Sequence, residues 1–148
     1  MRKPISWEEY WIRQTDLMAE RSKDPITRVA AVAVGMENRQ LAGGYNGFPK
    51  GVIENDERWE RPTKYQFVVH AEINMIANAV RTGVKLAGST MYITIPPCAE
   101  CAKAVIQSGI VKVVYKNLPS QGSSLDYEHT TTMFKEAGVE LVQYQNPS

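Results

Sequence analysis

At 148 residues, with 43% hydrophobic and 22% charged side chains, the chain is long enough for one domain with its own core, and no linker or repeat divides it. A formal net charge of +1 gives no pull toward nucleic acid or anionic membranes, and without a secretory n-region or a long apolar run a cytoplasmic protein is expected. Only two cysteines are present, which excludes a closed Cys-rich metal site.

Ser6-Trp7-Glu8-Glu9 reads as a capping box. It opens a first helix expected to run to about Ser22, with Trp7, Tyr10, Trp11, Leu17 and Met18 as its apolar side. At that spacing the aromatics read as core, with a base-stacking surface as the alternative. Val29 to Val34 is a continuous apolar run, as in a buried central strand. Gln40 to Tyr45 is expected to pair with it as a hairpin through a turn at Glu37-Asn38-Arg39. A long loop from Asn46 to Lys64 follows, and loops of that length inside a compact domain are usually functional or disordered. Glycines around Asn46 permit close backbone approach to a ligand there, or mark a simple turn.

The most informative stretch is Tyr65 to Ile76, which contains His70-Ala71-Glu72, with its partner Pro96-Pro97-Cys98-Ala99-Glu100-Cys101. Both halves read as helix beginnings. Ile73, Ile76, Ala77 and Val80 fall on one face of a helix starting at Ala71, and two prolines before Cys98 are tolerated at a helix start but not inside one. Cys98 and Cys101 share a face of the first turn, where the helix dipole favours thiolates. His70, Cys98 and Cys101 supply three donors of the type zinc takes, leaving a fourth position for water. Zinc with two thiolates and a neutral imidazole sums to zero charge, which leaves Glu72 free for proton transfer. A redox pair or a structural zinc completed by His129 are the competing readings; His129 lies in a polar helical stretch and reads as a solvated surface residue.

Thr90 to Ile95 is a strand that delivers the cysteines to the edge of a sheet, where open α/β folds bind ligands. A cysteine-bearing helix ending at Gly109, a strand from Val111 to Tyr115, a polar loop from Ser120 to Ser124, a helix from Leu125 to Ala137 capped by Gly138, and an edge strand from Val139 to Tyr144 complete the chain. The order implies a five-stranded mixed α/β sheet with helices on both faces, a three-layer α/β/α sandwich.

Several stretches in order carry a resemblance: Ser22-Lys23, Val29-Ala30-Ala31-Val32, Gly44-Tyr45-Asn46-Gly47-Phe48-Pro49, His70-Ala71-Glu72-Ile73-Asn74, Met91-Tyr92 and Pro97-Cys98-Ala99-Glu100-Cys101-Ala102-Lys103. On these the chain resembles the deoxycytidylate (dCMP) deaminase family of the cytidine deaminase-like superfamily, most of all its compact phage and bacterial members. The His-x-Glu and Pro-Cys-x-x-Cys signature specifies the superfamily, and Gly-Tyr-Asn-Gly points to the nucleotide-monophosphate branch. The resemblance implies zinc on His70, Cys98 and Cys101, proton transfer by Glu72, the Asn46 side chain on the deoxyribose and the Ala71 backbone on the pyrimidine carbonyl. It further implies a homo-hexamer activated by dCTP and inhibited by dTTP near the Gly-Tyr-Asn-Gly loop. Tyr45, Gly47 and Lys50 are the effector candidates, and Mg²⁺ would accompany the triphosphate. Ala30-Ala31 stands where members often have Gly-Ala, and no cysteines are spare for the second zinc of some phage relatives. Tyr127 is the candidate for a substrate-contacting tyrosine that relatives place after the strand ending at Tyr115. Phosphate recognition must come from cations or helix-start amides, and Ser22, Lys23 and Arg28 are the candidates; Arg28 could instead pair with a surface carboxylate.

Overall fold

In the computed structural model, which describes residues 1–120, 123 and 125–146, the chain forms a five-stranded sheet of order β2-β1-β3-β4-β5. Its strands are β1 (Ala30–Val34), β2 (Gln40–Tyr45), β3 (Thr90–Ile93), β4 (Lys112–Tyr115) and β5 (Glu140–Gln143). β1 runs antiparallel to both β2 and β3, while β3, β4 and β5 are parallel. The expected hairpin, mixed sheet and edge position of the last strand are all present. The β1–β2 connection turns through Glu37 and Asn38, both with positive φ.

Alternation along the strands assigns the two layers. Ala31 and Ala33 of β1, Met91 and Ile93 of β3 and Val113 of β4 face a cluster built with α4 (Ala71–Thr82), α5 (Ala99–Gln107) and α6 (Glu128–Ala137). Val32 and Val34 face the opposite way, onto Trp11 of α1 (Trp7–Ala19). Every residue of β1 is buried, as its uninterrupted apolar run requires of a strand covered on both faces.

Four expectations need correction. α1 starts where the Ser6 hydroxyl accepts a hydrogen bond from the Glu9 amide at 3.1 Å, but it ends at Ala19 rather than near Ser22. Its buried face is Trp11, Ile12, Thr15 and Ala19, spaced by three and four residues. Trp7 and Leu17 point outward, 56% and 73% exposed. The loop after Asn46 contains two single-turn helices, α2 (Asp56–Trp59) and α3 (Lys64–Phe67). A small aromatic core holds them: the Phe48 ring lies 4.5 Å from Trp59 and 5.5 Å from Phe67, with the Arg58 guanidinium over Phe67. α6 begins at Glu128, three residues later than expected. In the preceding polar loop, Gln121, Gly122 and Ser124 lie outside the described residues.

The fourth correction concerns the inward face of α4. Its buried residues are Ala71, Glu72, Met75 and Ala79, whereas Val80 is 75% exposed. The reason lies on β2. A Cβ added to Gly44 would collide with the Met75 amide nitrogen and lie 3.0 Å from the Ala71 carbonyl oxygen. Helix and strand therefore meet backbone to backbone, and alanines rather than isoleucines occupy the contact. Asn74 Nδ2 donates to the Tyr45 carbonyl and Asn78 Nδ2 to the Gly43 carbonyl, both at 2.7 Å. Gly44→Ala is expected to destabilise the fold by about 3 kcal/mol, the upper range of overpacking costs, read as a lower urea midpoint at unchanged m.

Candidate active site and metal centre

Two helix N-termini converge on one point. His70 is the N-cap residue of α4 and Glu72 lies in its first turn; Cys98 is the N-cap residue of α5 and Cys101 lies in its first turn. β3 ends at Ile93, two residues short of the expected Ile95, and the chain continues through Pro96 and Pro97 to present Cys98 at the sheet's carboxyl edge. α6 and the residues just before it secure that turn from the side. The buried Thr130 hydroxyl donates to the Pro97 carbonyl at 2.8 Å, and the Ala99 amide donates to the Asp126 carbonyl at 2.7 Å.

The donor atoms of His70, Cys98 and Cys101 all lie within 4.8 Å of one another. His70 Nδ1 is 3.2 Å from Cys101 Sγ and 3.7 Å from Cys98 Sγ. Tetrahedral zinc with its usual Zn–S and Zn–N bonds sets sulfur and nitrogen about 3.5 Å apart, between those two values. The electrostatics agree. The hydrogen bond from Cys101 lowers the Cys98 thiol, the same bond raises Cys101, and the hydrogen bond with Cys98 raises His70. The cluster thus holds protons between its donors where a divalent cation would displace them. This donor set fits zinc.

His129 does not join it. Its Nδ1 pairs with Asp126 Oδ2 at 2.6 Å on the surface, as expected of a solvated residue. Glu72 is buried beside the thiols, and loss of hydration raises its pKa above the ordinary carboxylate value. A carboxyl group raised by burial beside this donor cluster has the chemistry of a proton acceptor and donor.

A cavity of about 650 Å³ opens above the cluster, within the usual range for small-molecule sites. Of the expected substrate contacts, Asn46, Ala71 and Tyr127 line it; Ser22, Lys23 and Arg28 do not. Lys23 pairs with Glu54 at 3.2 Å and Arg28 with Glu20 at 3.6 Å. The loop after β4 also reaches the cavity, through Asn117 and Ser120. Tyr45 and Gly47 border a separate cleft of about 120 Å³ together with Lys23; Lys50 does not line it.

Asn46 anchors the cavity wall. Its Oδ1 accepts from the Val29 amide at 2.9 Å, and its Nδ2 donates to the Thr27 carbonyl at 2.9 Å and to Asp24 Oδ2 at 3.4 Å. The buried Ser22 hydroxyl donates to the Asn46 carbonyl at 2.9 Å. Asp24 completes the wall through Lys64, whose Nζ lies 2.7 Å from Asp24 Oδ2 with both side chains almost inaccessible. Sequence reasoning missed Asp24 and Lys64. The signals were present: Asp24 before Pro25 sits where carboxylates cap turns, and Lys64 opens the helical turn that leads into His70.

Lys64→Met is expected to cost about 3–5 kcal/mol, because it leaves a buried carboxylate without its cation. Burial pushes Asp24 up, but hydrogen bonds from Lys64 and from the Ile26 and Thr27 amides outweigh it, so its pKa sits below the ordinary 3.8. A depressed carboxylate contributes stability above its unfolded-state pKa and loses it as pH falls through the folded value. Wild-type stability should therefore not respond to this pair from pH 5 to 8, and should lose its contribution only below about pH 4. Urea titrations across that range measure both effects.

A helix-borne His-Ala-Glu facing a Pro-Cys-x-x-Cys turn under a cavity of nucleotide size defines the zinc-deaminase class. Residues 5–117 match the model of the cytidine and deoxycytidylate deaminase zinc-binding region, and the chain belongs to that family of hydrolases. It is 40% identical over 144 residues to the deoxycytidylate deaminase of Mus musculus, covering 91% of this chain and 78% of the relative. Among solved structures it is similar to the dCMP deaminase of cyanophage S-TIM5 in complex with dCMP and dUMP. The TM-score is 0.79 at 25% identity, over 97% of this chain and 100% of the other. The apo form of that enzyme gives a TM-score of 0.77 at 27% identity, with the same coverage of each chain.

Proposed function

We propose that the protein hydrolyses dCMP to dUMP and ammonia, supplying dUMP for thymidylate synthesis. The observation that carries this reading is a buried Glu72 beside the His70, Cys98 and Cys101 cluster at a cavity of about 650 Å³. The likeness to a phage enzyme whose structure holds dCMP and dUMP supports the choice of substrate.

Held by these three donors, zinc would supply Lewis acidity that lowers the pKa of a water molecule to about 7. The chain's own residues do the rest. The Ala71 amide is the first of α4, without an intrahelical acceptor, and lines the cavity, where it can fix the pyrimidine carbonyl. Glu72 takes a proton from the attacking water and delivers it to ring N3 as the C4–O bond forms. It then carries the second proton to the exocyclic amine. The C4–N bond breaks, ammonia leaves, and water's oxygen remains on C4.

Ammonia release from dCMP, deoxycytidine and a cytosine-containing oligonucleotide tests the reading. Preference for dCMP is expected; preference for the oligonucleotide would replace the reading with nucleic-acid deamination. Assembly as a homo-hexamer, activation by dCTP with Mg²⁺ and inhibition by dTTP belong to the same proposal through the family resemblance. Tyr45, Gly47 and Lys23 border a cleft of about 120 Å³, and identical hyperbolic dCMP saturation curves with and without triphosphate would remove that part. A cytoplasmic location accords with two free cysteines, which a reducing compartment keeps available as ligands.

A further inference from the structure

Two cations line the cavity, Arg61 and Lys64. Lys64 is neutralised by Asp24 at 2.7 Å and is almost inaccessible. Arg61 is exposed, and no ion pair or hydrogen bond engages its guanidinium among the described residues. Lys23 and Arg28, which chain order brings nearest to this wall, lie outside the cavity and are paired with Glu54 and Glu20. The cavity's other ionisable groups include the Glu72 carboxyl and the thiol of Cys98, neither of which attracts an anion, and the metal cluster with two thiolates carries no net charge to offer one. Among the described residues that line the cavity, a phosphate dianion therefore meets one uncommitted positive partner, with a planar fork of donors suited to two parallel hydrogen bonds.

Resting on the dCMP reading above, we propose that Arg61 is the specificity-determining residue that selects a 5′-phosphorylated substrate over the unphosphorylated nucleoside. Its guanidinium stays hydrated while the cavity is empty and exchanges that water for phosphate oxygens when a nucleotide fills it. The chemistry at the cluster does not involve Arg61, so its loss acts on substrate binding rather than on proton transfer.

The test compares kcat/KM for dCMP and for deoxycytidine in wild type, Arg61→Ala and Arg61→Lys, with zinc content and urea midpoint measured on each protein. Arg61→Ala is expected to lose about 30- to 100-fold on dCMP, the scale of a desolvated charge-assisted contact. That loss should exceed its loss on deoxycytidine at least tenfold and fall mainly in KM. Arg61→Lys should recover part of it, as a point charge without the fork does. Inorganic phosphate should compete with dCMP in wild type and much more weakly in Arg61→Ala. A wild type that prefers dCMP and an Arg61→Ala that keeps the same preference would overturn the Arg61 assignment and leave the dCMP reading standing. A wild type that favours deoxycytidine would overturn both.

Discussion

Glu72→Gln is expected to lower turnover of dCMP by about 10⁴-fold, the upper end for general acid–base catalysis, while zinc content and the urea midpoint stay near the parent values. The upper end applies because the proposed mechanism has Glu72 move two protons in one cycle, and the described wall offers no second carboxylate placed to replace it. The other carboxylate lining the cavity is Asp24, which is held by Lys64 at 2.7 Å. Glutamine keeps the size and a hydrogen-bonding head, so packing against the cysteines survives and only proton transfer is lost. The pH profile gives an independent reading. Burial raises Glu72 above the ordinary carboxylate value of 4.5, and the carboxylate form is the one that accepts water's proton. kcat/KM should therefore rise with pH through a limb lying above 4.5, and that limb should vanish in the glutamine variant. Turnover at the parental rate in Glu72→Gln would remove its proton-transfer role.

The second large effect is on the metal. Cys101→Ser is expected to weaken zinc binding by about 10²–10³-fold, taking one donor's share of the roughly 10–16 kcal/mol typical of protein-bound zinc. Activity should fall with occupancy and return in part at high zinc. Chelation of the wild type should abolish turnover, and stoichiometric zinc should restore it. The fold should outlast the metal. The core formed by Met75, Met91, Ile93, Val113 and Phe134 is buried independently of the three donors, unlike small domains that unfold without zinc. Equilibrium dialysis with a zinc indicator, alongside circular dichroism, separates loss of metal from loss of structure.

What was legible in the sequence was what short-range chemistry decides. The proline pair before Cys98, the one-turn spacing of Cys98 and Cys101, and the apolar run of β1 each impose local structure. Their placement followed as expected, because βαβ order leaves few ways to arrange such a sheet. What depended on the third dimension was not legible. Of the face expected for α4, Ile76 packs against the core but Ala77 and Val80 are exposed, since helical spacing alone cannot show that Gly44 brings a strand backbone against Ala71 and Met75. Leu17 is apolar yet solvent-facing, while the polar Thr15 is buried because its hydroxyl donates to the Ile12 carbonyl at 2.7 Å. Charge misled in the same way. Lys23 and Arg28 lie close in sequence to the expected site but turn to Glu54 and Glu20. Arg61 and Lys64 reach the cavity from a long loop for which the sequence signals no regular structure, and which two helical turns and the Phe48, Trp59 and Phe67 rings hold in place.

The most direct test of the account is zinc-edge X-ray absorption on active protein, combined with metal analysis of the same sample. The expected result is one zinc per chain coordinated by two sulfurs, one imidazole nitrogen and one light atom from solvent, with a dCMP analogue altering only the last. Active protein without bound zinc, or a fourth ligand supplied by a protein side chain, would contradict it.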